Sequence, residues 1–160
     1  MTLHRSARGP VPDDLAWLEK AVDVSRCAPP VAARFAVGAV IVGADGVLLA
    51  TGHTGEGDPL LHAEEAALAK LAQRAAGATL YTSLEPCTTR RSRPATCTDL
   101  VSEAGITRVV LALREPLLFA DCDGVETLRA RGVEVVELPE LAPRVRAVNA
   151  HVLSLAGVPA

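Results

Sequence analysis

The spacing of hydrophobic positions changes several times along the chain, and each change marks an element. From Asp13 the apolar residues Leu15, Leu18 and Val22 recur at helical intervals, with Asp13 placed to cap the helix. Cys27-Ala28-Pro29-Pro30 ends that helix, because proline has no N–H and clashes with the preceding turn. Residues 36–42 form an apolar, β-branched run, Asp45-Gly46 supplies a hairpin turn, and 47–51 return as a second strand. A glycine-rich loop covers 52–57. Asp58-Pro59 then predicts the start of a helix through HAEEAALAKLAQRAA, closed by Gly77. A strand over 78–84 and a helix over 96–104, capped by Gly105, come next. The continuous apolar run 106–113 predicts a central, buried strand. A helix near 125–130 ending at Gly132, a strand over 133–138 and a helical tail over 143–155 complete the pattern.

The resulting order, α-β-β-α-β-α-β-α-β-α, predicts an α/β protein. Its layout is a three-layer α/β/α sandwich on a mixed five-stranded sheet. The opening hairpin is antiparallel, and the later strands are parallel because helices cross between them. Residues 1–12, rich in Arg, Gly and Pro, predict a flexible arm, and 13–157 a single domain.

Composition narrows the function classes. Of 160 residues, 49% are hydrophobic but only 2% aromatic, so the core must be built from Val, Leu, Ile and Ala. A net charge of −3 and a pI near 5.8 do not fit a protein that grips phosphate backbones broadly. One Trp, one Tyr and two Phe leave little surface for stacking bases. No nucleic-acid partner is therefore expected. No apolar run reaches membrane-spanning length, and nothing hydrophobic follows the basic N-terminus as in a secretory signal. The expected location is the cytoplasm, away from membranes. The four cysteines are then reduced, and read better as ligands or catalysts than as disulfides.

Two separated pieces carry the chemistry. His62-Ala63-Glu64 opens a helix; Pro86-Cys87 follows a strand, and after nine intervening residues Cys97 falls in a helix's first turn. One imidazole and two thiolates suit Zn²⁺, and three protein ligands leave the fourth tetrahedral position for water. Helix N-termini favour thiolates at Cys87 and Cys97. Glu64, two residues from His62, is placed to lean over the open position as the proton carrier. Histidine-x-glutamate with proline-cysteine is the zinc deaminase pattern, although its usual form has two residues between the cysteines.

The run TLYTSLEPCTTRRSRPATCTDLVSEAGITRVVLALREP resembles the pyrimidine deaminases of riboflavin biosynthesis, within the cytidine-deaminase-like zinc hydrolases. In those proteins a long proline-containing loop likewise separates the cysteines. The resemblance runs from about Asp14 to Asn149. It implies hydrolytic loss of an amino group from a diaminopyrimidinone carrying a phosphorylated sugar or sugar alcohol. Zinc would be held by His62, Cys87 and Cys97, with Glu64 moving protons and backbone groups of Ala63 and Cys87 holding the ring. A homodimer or larger assembly is also implied. Arg34 stands where bacterial members carry an Asn-Pro-type segment, and Arg114-Glu115-Pro116-Leu117 replaces their Asp-Pro-Asn-Pro. CAPPVAARFAVGAVIV and REPLLFADCDGVETL look closer to the stand-alone fungal-type deaminases, which use a ribitylamino substrate.

The substrate-side candidates are thus Arg34 and Glu115, the loop arginines Arg90, Arg91 and Arg93 for a phosphate or carboxylate, His53 in the glycine loop, and Glu85 at the turn. Other readings stay open. They are a deaminase of a nucleoside, nucleotide or free base (dCMP, cytosine or guanine type), a nucleic-acid-editing deaminase, and a structural zinc knot completed by Cys27 or Cys122. Cys27 and Cys122 otherwise read as buried small hydrophobes, Glu65 and Glu103 as solvated helix residues, and Asp121 and Asp123 as helix caps.

Overall fold

The computed structural model describes residues 8–116 and 122–156. Five strands, β1 (Gly38–Val42), β2 (Leu48–His53), β3 (Thr79–Leu84), β4 (Arg108–Leu113) and β5 (Glu134–Glu137), form one sheet in the order β2-β1-β3-β4-β5. β1 pairs antiparallel with β2 and β3, whereas β3–β4 and β4–β5 are parallel. The mixed sheet is as expected, but β3 rather than 106–113 is its middle strand.

Strand alternation divides the core in two. Ala39, Ile41, Leu80, Val109 and Leu111 face one side, where they meet α2 (Ala63–Ala69), α3 (Cys97–Glu103) and α4 (Gly124–Ala130). Val40, Val42, Tyr81, Val110 and Val136 face the other, covered by α1 (Asp14–Ser25), α5 (Ala142–Val148) and α6 (Ala150–Leu153). This is the expected three-layer sandwich. No helix among the described residues is long and apolar enough to cross a membrane.

Several local expectations need correction. In α1 the buried stripe is Leu18, Ala21, Val22 and Ser25, and Leu15 is exposed. Neither Asp13 nor Asp123 caps its helix through its side chain; Asp121 lies outside the described residues. Instead Asp14 accepts from the Val11 backbone N–H at 2.8 Å and binds Arg108, which also donates to the Gly9 carbonyl. Part of the segment expected to be a flexible arm is therefore tied down. The helix expected from Asp58 begins only at Ala63 and ends at Ala69, because Ala72 and Gln73 turn to φ of 45° and 72°. That break lets both Leu71 and Ala75 enter the core. Asp58 caps a loop turn instead, accepting from Leu60 N. Cys27 is exposed rather than buried, and Cys122 is half-buried.

One close approach positions α2. A Cβ on Gly52 of β2 would fall at 3.0 Å or less from Ala63 O, Ala67 N and Ala66 Cβ. The missing side chain lets the first turn of α2 lie directly on the sheet.

Candidate active site

His62 is the N-cap of α2, and Glu64 lies in that helix's first turn. Cys87 leaves the end of β3 through Glu85-Pro86, and Cys97 is the first residue of α3, whose N-cap Thr96 forms a capping box with Asp99. These elements bring His62 Nδ1, Cys87 Sγ and Cys97 Sγ within 4.8 Å of one another. His62 Nδ1 lies 3.3 Å from Cys97 Sγ and 3.6 Å from Cys87 Sγ. Tetrahedral zinc with ordinary N and S bond lengths would set such N–S edges at about 3.6 Å. The donor set therefore fits zinc in both chemistry and spacing. Neither Cys27 nor Cys122 joins it, so the structural knot is not formed.

The thiols are unequal. The Cys97 backbone N–H, at the start of α3, donates to Cys87 Sγ at 3.3 Å. A hydrogen bond from the Cys97 thiol lowers the Cys87 thiol to about 4, against burial that would raise it. Cys97, facing the Cys87 sulfur, deeply buried and beside Glu64, is held well above its ordinary value. Burial pushes the His62 imidazole down, but Cys87 and the Glu64 carboxylate outweigh it, so the net shift is upward.

Glu64 is 4% exposed, and burial pushes its carboxyl above the ordinary value. Its Oε2 lies 3.4 Å from Cys97 Sγ, while Oε1 accepts from the Thr82 hydroxyl at 2.9 Å. Thr82 was not anticipated from sequence; its only signal is a hydroxyl on an otherwise apolar strand face.

His62, Glu64 and Cys87 line one wall of a cavity of about 350 Å³, with Cys97 buried behind them. Ala63, Arg34, Glu85 and Glu115 also line it, together with Phe35 and Val37, which sequence reasoning missed. The cavity sorts the remaining candidates. Glu85 is committed to the fold: its two carboxylate oxygens accept from Glu115 N and Val125 N, each at 3.0 Å. The Cys87 carbonyl is likewise taken, by Thr98 N and the Thr98 hydroxyl. His53 lies outside the lining, with Nδ1 beside Thr54 O and Nε2 3.5 Å from Glu56. Burial raises the Glu115 carboxyl to about 7, and the nearby Cys87, Glu85 and Glu64 add to the rise.

The three loop arginines differ in the same way. Arg90 lines the cavity with a side chain only 2% exposed; it donates to Leu60 O, Glu65 and Ser92, and its Nη1 is buried without a hydrogen-bond partner among the described residues. Arg93 pairs with Asp58 and Glu65 and is not in the lining. Glu65 is therefore an anchor for the loop, not a solvated residue, and it also accepts from His62 N. Arg91 also lines the cavity, but it is exposed and has no ionic or hydrogen-bond partner among the described residues. Arg34 reaches across the rim to the Pro59 carbonyl.

Residues 12–113 match the family profile of the cytidine and deoxycytidylate deaminase zinc-binding region. The chain belongs to this family. A diaminohydroxyphosphoribosylamino-pyrimidine deaminase of Schizosaccharomyces pombe is 36% identical to this chain over 126 residues, which is 76% of this chain and 31% of the relative. The riboflavin biosynthesis protein RibD of Aquifex aeolicus is 45% identical over 100 residues, 62% of this chain and 27% of that protein. A solved diaminohydroxyphosphoribosylaminopyrimidine deaminase/5-amino-6-(5-phosphoribosylamino)uracil reductase from Thermotoga maritima superposes with a TM-score of 0.74 at 32% identity. It covers 84% of this chain and 38% of that one. The chain thus spans about a third of the length of these curated relatives. Zinc is the metal of the family region, in agreement with the donor set of His62, Cys87 and Cys97.

Proposed function

We propose that this domain is a hydrolytic deaminase of a small aminopyrimidine, with a riboflavin-pathway diaminopyrimidinone carrying a phosphorylated ribosyl or ribityl group as substrate. The observation that carries this reading is the buried Glu64 carboxyl beside His62, Cys87 and Cys97 on the wall of a cavity of about 350 Å³. That volume is in the range of small-molecule sites. The names and likeness of the relatives support the pathway.

His62, Cys87 and Cys97 would hold zinc, which supplies the acidity that makes water nucleophilic near neutral pH. Glu64 Oε2 takes a proton from the attacking water and passes it to a ring nitrogen. As the C–O bond forms, the ring nitrogen is protonated. Glu64 then takes the remaining proton of the new hydroxyl and delivers it to the amino group, so that the carbonyl forms, the C–N bond breaks and ammonia leaves. The Ala63 backbone and the Phe35–Val37 wall orient the ring and exclude bulk water. Glu115 faces the ring's polar edge. Arg91, without a partner among the described residues, binds the phosphate, with Arg34 at the rim. A homodimer or larger assembly is supported by the exposed apolar side chains of Val47, Leu48 and Leu49 along the edge-strand hairpin. The four free thiols fit a cytoplasmic setting.

The test is ammonia release from ribosylamino and ribitylamino pyrimidine phosphates, set against dCMP, cytosine and guanine. Wild-type protein should carry about one zinc per chain and turn over a diaminopyrimidinone phosphate. Glu64→Gln should keep the zinc and lose turnover. Preference for dCMP or a free base would replace the substrate assignment, and near-native turnover by Glu64→Gln would overturn the role of Glu64.

A further inference from the structure

Thr82 lies in the middle strand, fully buried, flanked in register by Ala39 of β1 and Leu111 of β4. Both neighbours belong to the apolar cluster under α2, as does Leu80 two residues earlier on the same face. Valine has nearly the same shape and would leave no polar atom there. A hydroxyl at such a position costs free energy unless it is hydrogen bonded.

The Thr82 hydroxyl has two acceptors in reach, Glu64 Oε1 and Leu84 O, each at 2.9 Å. A hydroxyl carries one proton and two lone pairs. Its O–H donates to Oε1, which ties the distal oxygen of Glu64 to the middle strand, while the Leu84 carbonyl lies beside the same hydroxyl. The near oxygen, Oε2, is left facing Cys97 and the ligand cluster.

We propose that Thr82 is a positioning residue for deamination: its hydroxyl pins Glu64 Oε1 to the sheet, so that Oε2 alone presents to the reacting water. Thr82 touches neither substrate nor the ligand cluster and acts only through Glu64. The proposal rests on the proton-carrying role of Glu64 argued above. Losing one hydrogen bond to the working carboxyl, in a step that depends on its orientation, lowers kcat by about tenfold.

The experiment compares Thr82→Val and Thr82→Ser in the zinc-loaded protein, using the pyrimidine phosphate that the wild type deaminates best. Thr82→Val should retain one zinc per chain and an unchanged KM while kcat falls about tenfold. Thr82→Ser should recover most of the loss. Wild-type kcat in Thr82→Val, or equal losses in both variants, overturns the proposal. Should Thr82→Val fold poorly, Thr82→Ala against Thr82→Ser gives the same comparison at matched volume. A second readout needs no turnover. The infrared carboxyl band of Glu64, identified by its loss in Glu64→Gln, should shift in Thr82→Val and return in Thr82→Ser. An unmoved band overturns the proposal even if the substrate reading stands. An inactive wild type with a shifted band instead overturns the substrate reading and leaves the placement of Glu64 by Thr82 supported.

Discussion

The side-chain amide of Asn149 pairs with both backbone groups of Ala36. Ala36 N donates to Oδ1 at 2.7 Å and Nδ2 donates to Ala36 O at 3.1 Å, across 113 residues of sequence. A third bond, from Nδ2 to Val145 O, holds the amide at the break between α5 and α6. Asn149 thus behaves as a short piece of strand, satisfying a segment that has left the sheet. That segment carries Phe35 and Val37 into the cavity wall, so the C-terminal helices buttress the site without reaching it.

Asn149→Ala should leave both Ala36 groups buried and unpaired. The expected loss is about 2–3 kcal/mol in urea unfolding, with KM raised more than kcat is lowered. A variant as stable as wild type would show that the segment finds other partners.

Asp14 anchors the opposite end of the sheet. It is fully buried and accepts from Arg108 through both carboxylate oxygens and from the Tyr81 hydroxyl. Burial alone would raise its carboxyl, but the bonds from Arg108, Val11 and Tyr81 outweigh it and hold it below the ordinary range. Its contribution is therefore complete above the ordinary carboxylate range and is lost as pH falls through the lowered native value. Asp14→Asn should cost roughly 3 kcal/mol near neutral pH, because it removes the buried carboxylate that both Arg108 Nη groups bind and leaves Arg108 only Glu134, at 3.6 Å, as an ionic partner. It should also flatten the acid arm of stability against pH, measured by thermal unfolding across that range. An acid arm as steep as that of wild type would assign the loss to other carboxylates.

The loop arginines should separate by function. Arg91→Ala should raise KM for a phosphorylated substrate by roughly 10- to 100-fold, the equivalent of one charge-assisted hydrogen bond. It should leave KM for the dephosphorylated analogue and thermal stability unchanged. Arg90→Ala should instead release Glu65 and the loop, and weaken zinc retention roughly tenfold or more in a chelator competition. Equal behaviour of the two variants would contradict the division seen in their contacts.

Gly52→Ala places a methyl group against Ala63 and Ala67. The first turn of α2 must then lift, carrying His62 and Glu64 away from the cysteines. Loss of bound zinc with strands and sheet retained, read by metal analysis and circular dichroism, is the expected result. Normal zinc content would mean that α2 can shift without moving the ligands.

Sequence legibility followed the range of each interaction. Strand alternation, the Asp45-Gly46 turn and the glycines ending α3 and α4 are local features, and they located nearly every element. The helix through 58–76 was overestimated because nothing local marks the turn at Ala72 and Gln73. Packing of Leu71 and Ala75 accompanies it. Asp13 and Asp123 read as caps by type, yet neither side chain makes a cap bond.

By itself the sequence determined the candidate ligand set and the sheet. A histidine and a glutamate two residues apart at a helix start, and two cysteines at the ends of a strand and a loop, have chemistry that survives any reasonable packing. The tertiary structure decided which charges are spent and which are free. Glu85 is taken by backbone amides of Glu115 and Val125, Arg90 and Arg93 by acids on and before α2, and Arg91 by nothing among the described residues. It also decided that Thr82 meets Glu64 and that Asn149 meets Ala36. Hydrophobic period fixes which face of an element is buried, but not which polar atom on another element will lie opposite. That depends on the register of whole layers, which no local pattern encodes.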